Sequence, residues 1–306
     1  METRSIGSLK VSVVGLGCNN FGRRLNAEQT AIVVNAALDV GINFFDSADV
    51  YGNGQSEEYL GRALKTRRGE AVIATKYGSR MEGQGEGAHP EYIRTAVEDS
   101  LRRLGIDCID LYQQHVPDPK VPIEDTLGAL DDLVKAGKVR EIGSSNFTAA
   151  QIGAADAAAK PGAVHFRSVQ NHYSLLHREP EPDVLAACGQ FGQAVLPYFP
   201  LASGVLTGKV SHGQVAPAGS RLADAGIQSR FAGEHNLAIV DKLIEYAEAQ
   251  GHTILELAFA WLLAHPVVAS VIAGATKIEQ VQANAAAVGW QLSAADLAAI
   301  DKIAAQ

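Results

Sequence analysis

The chain has 306 residues, 47% of them hydrophobic and 20% charged, the composition of a folded globular protein rather than a disordered one. Its formal net charge of −8 argues against general affinity for nucleic acid or for an anionic membrane surface. Cys18, Cys108 and Cys188 are too few and too widely spaced for a disulfide framework or a zinc site, so a reducing, cytoplasmic setting is expected.

The opening "METRSIGSLKVSVVGLG" has no apolar run of the kind a signal peptide needs, and no run of about 20 apolar residues follows anywhere. It reads instead as a small hairpin turning at Gly7 and Ser8. A first buried strand is predicted over 13–17, then a helix over 27–40. A second strand, 42–46, leads into helix 56–65. A third, 71–76, leads into 89–104, where Ile93, Val97, Leu101 and Leu104 recur at helical spacing and Gly105 stands where a C-cap belongs. Strand 109–115 precedes helix 123–136, and strand 139–144 precedes helix 148–159. Strand 168–171 precedes helix 182–189. Strand 194–197 is followed by a long Gly-, Ser-, Ala- and Pro-rich stretch, 200–233, and then by helices 235–250 and 253–264. The last strand, 267–272, leads into helix 278–288, and helix 294–304 closes the chain.

Eight apolar strands alternating with amphipathic helices give an α/β fold, a (β/α)8 TIM barrel with an N-terminal β-hairpin and extra C-terminal helices. The runner-up is a doubly wound sheet, but no composition break or linker divides the chain, so one domain over 1–306 is expected. In such barrels chemistry gathers at the C-terminal ends of the strands. The polar residues at those ends are Asp46 with Tyr51 just beyond, then Lys76, then His115. Further round come Ser145 and Asn146, Gln170, and Tyr198. An ammonium beside a tyrosine favours its phenolate, a carboxylate can hold that ammonium, and a histidine can bind a carbonyl oxygen or relay a proton. Each residue alone reads as a cap, a packing group or a solvated side chain. Together they can give a proton to an oxygen and take it back.

Two motifs are decoys. "GLGCNN" lacks the third glycine of a dinucleotide fingerprint, and "GVLTGK" is one residue short of a P-loop, with Val210 in place of Ser or Thr. The second still offers pliable backbone and Lys209 to a pyrophosphate. "VIAGATKIEQVQAN" reads as strand, glycine turn and helix start, a phosphate-binding arrangement late in a barrel, with Thr276 and Lys277 at the helix terminus.

With these motifs in order, the chain resembles an aldo-keto reductase, of the bacterial type related to potassium-channel β-subunits. The resemblance spans about residues 3 to 288. It rests on "GINFFDSADVYGNGQSEEYLGRAL", "VIATKYG", "DLYQQHVPD", "IGSSNF", "VQNHYSLL", "PYFPLASGVLTGK" and "VIAGATKIEQVQAN". It implies a nicotinamide cofactor bound without a Rossmann domain and direct hydride transfer to a carbonyl carbon. Tyr51 would be the proton donor, Lys76 would lower its pKa, Asp46 would hold Lys76, and His115 would position the carbonyl. Ser145, Asn146 and Gln170 would hold the carboxamide, and Tyr198 would stack on the ring. Leu201, Ser203, Gly204 and Lys209 would wrap the pyrophosphate, and Gly274, Thr276, Lys277, Gln280 and Asn284 the adenosine end. Lys277 favours NADP(H), with NAD(H) as the alternative. Asn19, Asn20, Phe21, Tyr77 and the 200–233 stretch are candidate walls for a small carbonyl or alcohol substrate such as an aldehyde, ketone or sugar. Competing readings are a cofactor-binding channel subunit, disfavoured by the lack of an added docking segment before Gly7, and a lyase using Lys76 as a Schiff base, disfavoured by Asp46.

Overall fold

The computed structural model describes residues 1–81, 85–209 and 221–304. An antiparallel hairpin comes first, β1 (Thr3–Ile6) and β2 (Leu9–Ser12), turning at Gly7 in a left-handed conformation (φ 54°). The barrel strands follow, each with its helix: β3 (Val14–Gly17) and α1 (Ala27–Asp39), β4 (Phe44–Asp46) and α2 (Gln55–Leu64), β5 (Val72–Tyr77) and α3 (Pro90–Leu104). Next are β6 (Ile109–Gln114) and α4 (Ile123–Lys135), β7 (Val139–Ser145) and α5 (Ala149–Ala158), and β8 (Phe166–His172) and α6 (Ala186–Phe191). Then come β9 (Ala194–Tyr198), α7 (Ala225–Phe231), α8 (Glu234–Ala249), α9 (Ile254–Leu263), β10 (Val271–Gly274), α10 (Ile278–Ala286) and α11 (Ala294–Ala304).

The eight strands β3 to β10 pair in parallel in the order β10-β3-β4-β5-β6-β7-β8-β9. The remaining seam, β9 against β10, is closed by the segment before β10. There Val195 donates to Val267 O (2.7 Å) and Ala269 donates to Val195 O (3.0 Å). The strand predicted over 267–272 is therefore split: 267–269 bonds to β9 and β10 proper bonds to β3. The 200–233 stretch, in which no strand or helix is predicted, is partly regular. It holds a 3-10 turn at Ala202–Thr207, another at Arg221–Ala223, and α7, while 210–220 lie outside the described residues. A π-turn, Glu181–Leu185, precedes α6.

Local chemistry accounts for the helix ends. Pro90 opens α3 and Gly105 closes it in the left-handed region. Capping boxes start α1 (Asn26 with Gln29), α5 (Thr148 with Gln151) and α9 (Thr253 with Glu256), each satisfying two otherwise orphaned amides.

Two cores result. Helix faces pack on the outside of the barrel, where Tyr77, Tyr112, Leu60, Ile93 and Leu130 lie. Inside, Phe44, Ala74, Leu111, Leu196 and Ile272 meet Ile6, Leu9 and Val11 of the hairpin, which plugs the lower end. Each such fully buried aliphatic side chain contributes about 1.5–3 kcal/mol. The hairpin seals the lower end with apolar residues, and the charged interior side chains Asp46 and Lys76 lie above it.

Candidate active site

Strand register places the polar group. Asp46 pairs with Ala74, Lys76 with Gln113, Gln113 with Gly143, and Ser145 with Gln170. Neighbouring residues in register share a face, so Lys76, Gln113 and Gln170 converge inside the barrel above the apolar layer. Lys76 is fully buried and donates to Asp46 Oδ2 (2.7 Å) and to the Ser47 carbonyl (2.8 Å). Its Nζ lies 5.3 Å from the centre of the Tyr51 ring. His115, just past β6, meets Tyr51 edge-on with ring centres 5.9 Å apart. The structure thus brings Asp46, Tyr51, Lys76 and His115 together.

The electrostatics depart in one respect from the sequence expectation. Burial pushes the Tyr51 phenol above its ordinary value, and Asp46 adds to that, while the Lys76 ammonium opposes both. The lowering by Lys76 is present, but desolvation outweighs it in the free protein. For Lys76, burial works against the ammonium, yet Asp46 and then Tyr51 hold it charged and its pKa is raised. A lysine held charged by a carboxylate is a poor Schiff-base nucleophile, so the lyase reading loses its chemistry. Burial, with Lys76 adding to it, lowers His115 to about 3, so its ring is neutral. Its Nδ1 is buried with no hydrogen-bond partner among the described residues, which leaves Nε2 to meet a ligand.

Asp46, Tyr51 and His115 line a cavity of about 890 Å³ at the C-terminal end of the barrel, with Lys76 buried behind them. Ser145, Asn146, Gln170 and Tyr198 line one wall. Tyr198 donates to Asn146 Oδ1 (2.8 Å), and Asn146 Nδ2 donates to the His115 carbonyl (2.9 Å). Asn146 sits at positive φ (62°), a conformation asparagine tolerates better than most residues. Tyr198 is backed on its far side by His172 (5.5 Å, 17° between planes), which in turn stacks on His177. The next wall is strained backbone: Phe199 (φ 51°), Ala202 (44°) and Ser203 (57°) are left-handed non-glycine residues, followed by Gly204. Such tight turning costs about 1–3 kcal/mol per residue and recurs at anion-binding concavities. Leu201, Ser203, Gly204 and Lys209 all line the cavity there.

At the far end stand Gly274, Thr276, Lys277 and Gln280. Gln280 Oε1 accepts from the Thr276 amide (2.7 Å), fixing the turn into α10. Asn284, one turn further along α10, is buried and does not line the cavity. Asn19 and Asn20 line the cavity as well. Phe21 and Tyr77, proposed as walls, do not: both are fully buried in the outer core. The reason for Tyr77 is strand alternation, since the neighbour of an inward Lys76 must point outward. Cys18, Arg23, Arg24 and Glu279 also line the cavity and were missed. They occupy loops and a helix turn, where sequence gives no facing rule.

Residues 13–305 match the Aldo/keto reductase family. The chain belongs to that family. It is 36% identical over 303 residues to the Schizosaccharomyces pombe aldo-keto reductase yakc, whose name specifies NADP(+), covering 96% of this chain and 88% of that one. It is 36% identical to a probable aldo-keto reductase 1 of Glycine max, over 94% of this chain and 84% of the relative. Among solved structures, the glycerol dehydrogenase AKR11B4 from Gluconobacter oxydans superposes with a TM-score of 0.85 at 32% identity, covering 99% and 95% of the two chains. The holo form of AKR11C1 from Bacillus halodurans gives 0.83 at 32% identity, covering 99% and 96%. Among the described residues, no helix is long and apolar enough to cross a membrane, and no cluster of His, Cys, Asp and Glu could hold a metal.

Proposed function

We propose that this aldo-keto reductase is an NADP(H)-dependent oxidoreductase that interconverts a small carbonyl compound and its alcohol, with Tyr51 as the proton donor in reduction. The observation that carries this is the Tyr51 phenol on the cavity, flanked by the buried Lys76 ammonium and the neutral ring of His115.

The cavity residues fit a nicotinamide dinucleotide. Ser145, Asn146 and Gln170 offer carboxamide-binding groups, Tyr198 offers a backed ring face, and the strained turn with Lys209 offers a phosphate cradle. Thr276 and Lys277 at the start of α10 suit a 2′-phosphate, in line with the NADP(+) named for the S. pombe relative. When bound, the cofactor supplies or accepts the hydride. The protein handles the proton. Burial keeps Tyr51 protonated through neutral pH, so it can donate as the carbonyl oxygen gains electrons. The Lys76 ammonium stabilises the phenolate left behind, and Asp46 keeps Lys76 charged and aimed. Uncharged His115 donates a hydrogen bond to the oxygen rather than a proton. Asn19, Asn20, Arg23 and Arg24 give the cavity polar lining, which suits a hydroxylated aldehyde, ketone or sugar.

The test is oxidation of NADPH against a panel of aldehydes, ketones and aldoses, repeated with Tyr51→Phe. Turnover of the variant should fall about 100- to 10,000-fold with cofactor affinity unchanged. Near-normal turnover in Tyr51→Phe, or no activity across the panel in the parent, would sink the reading.

A further inference from the structure

We propose that Gln113 is a positioning residue for the Asp46–Lys76 pair: its carboxamide, fixed inside the barrel, holds one oxygen of Asp46 so that the other stays on Lys76 and the ammonium stays beside Tyr51. This rests on the proton-donor reading of Tyr51.

Asp46 divides its two oxygens between different donors. Oδ2 takes the Lys76 ammonium at 2.7 Å. Oδ1 takes two neutral amides, Gln113 Nε2 at 3.1 Å and Gln170 Nε2 at 2.9 Å. A carboxylate only accepts, so both glutamines must present their NH2 ends to it. The two amides differ in what else they touch. Gln170 lines the cavity and is therefore shared with any ligand there. Gln113 is fully buried and does not line the cavity, so its hold on Asp46 is independent of occupancy.

Gln113 occupies this place at a cost. Its Oε1 is buried with no partner among the described residues. An unsatisfied buried amide oxygen is unfavourable, and an apolar side chain of the same size would avoid it. The chain also makes room for it. Gly143 is the register partner of Gln113, and a Cβ there would lie 3.2 Å from Gln113 Cγ and 2.4 Å from Ser168 Oγ. A side chain retained at a loss, in a space cleared by a glycine, is explained by its donor.

The amides also set the field at Tyr51. The charged or titratable groups facing that phenol are Lys76 from β5, Asp46 from β4, Cys18 after β3 and His115 after β6. Lys76 favours the phenolate and Asp46 disfavours it. N–H dipoles pointing at Asp46 offset part of its negative charge and leave the ammonium to dominate.

The test is Gln113→Met, which keeps length and volume and removes the donor, assayed beside Tyr51→Phe. Positioning predicts that kcat falls about 10- to 100-fold, as for small misplacements of catalytic groups. Cofactor affinity from fluorescence titration should stay within about twofold, which as an energy is under about 0.5 kcal/mol. In the alcohol-oxidation direction, the pH limb at which Tyr51 loses its proton should move to higher pH. A merely structural role predicts lowered stability with kcat and the pH limb in place, and that result overturns the proposal while Tyr51→Phe remains inactive. If Tyr51→Phe is itself active, the proton-donor reading fails and this proposal falls with it.

Discussion

Two buried ion pairs stand on either side of the turn that carries Tyr51. Inside the barrel, Lys76 meets Asp46 at 2.7 Å; outside it, between α2 and α3, Arg103 meets Glu57 at 2.6 Å. Both are almost fully buried, and both join residues distant in sequence. Their surroundings differ. Asp46 has two further amide donors and lies on the cavity, beside Tyr51 and His115. Glu57 has one further donor, the Thr75 hydroxyl at 2.6 Å, and Arg103 reaches Ser100 at 3.3 Å. Neither Glu57 nor Arg103 lines the cavity. A buried ion pair is thus no mark of chemistry by itself. It becomes one where it faces a space and a titratable group that can use its field.

The comparison breaks most sharply on charge removal. Lys76→Met should lower turnover by about 1,000-fold, because the phenolate of Tyr51 loses its counter-charge. Arg103→Met should leave turnover of the folded fraction unchanged and cost about 3–5 kcal/mol of stability, since Glu57 is stranded in the outer core. Lys76→Met should cost less stability than Arg103→Met, because Gln113 and Gln170 still solvate Asp46. Urea unfolding and steady-state kinetics on both variants check this. Equal losses of turnover would erase the distinction between the two faces.

Asp49 sharpens the comparison with the opposite sign. It sits on the turn between the two pairs, 1% exposed, with Oδ1 accepting from the Val50 amide (2.7 Å) and Oδ2 without a partner among the described residues. Burial raises its pKa from 3.8 to about 7, Glu57 adding to the effect and Arg103 and Lys76 opposing it. For an acid with a raised folded-state value, folding favours the protonated form. Its effect on stability is therefore absent below about pH 4, grows unfavourable as pH rises towards about 7, and is constant above that. At about 1.4 kcal/mol per pKa unit, the penalty is up to about 4 kcal/mol. Asp49→Asn keeps the Val50 acceptor and removes the charge. It should stabilise the protein at pH 8 by about 2–4 kcal/mol and leave it nearly unchanged at pH 4, as read by unfolding midpoints at the two pH values. Loss of stability at pH 8 would show that the ionised form is held by a partner.

The inner pair was legible in the sequence and the outer one was not. Asp46, Lys76 and His115 each end an apolar strand, and in a barrel the strand ends converge, so order along the chain becomes adjacency in space. Glu57 and Arg103 lie on two amphipathic helices, where a polar residue reads as solvated and nothing fixes which turns meet. Gln113 was overlooked for a related reason. "DLYQQH" reads as a strand with a polar end, yet alternation places Leu111, Gln113 and His115 on the inner side and Tyr112 and Gln114 on the outer. Applied to "VIATKY", the same rule would have removed Tyr77 from the cavity walls. The cavity residues Arg23 and Arg24 follow no such period.

The smallest expected effect tests the alternation most directly. Thr75 and Lys76 are consecutive in β5, one pointing out and one in. Thr75 donates to Glu57 on the outer side, while Lys76 donates to Asp46 on the inner side. Thr75→Val is nearly isosteric and removes one hydrogen bond to a charged acceptor, worth about 1.5–3 kcal/mol of stability. Arg103 still neutralises Glu57, so the loss should fall below that of Arg103→Met. The inner face should not register the change: kcat should stay within about twofold, a barrier change of under about 0.5 kcal/mol. The backbone of β5 is held on both sides by strand ladders and does not need the Thr75 hydroxyl to keep Lys76 in register. A fall in kcat approaching that of Lys76→Met would mean that the outer ion pair steers the inner one through β5. The two pairs would then be one unit, and the contrast drawn between them would have to be abandoned.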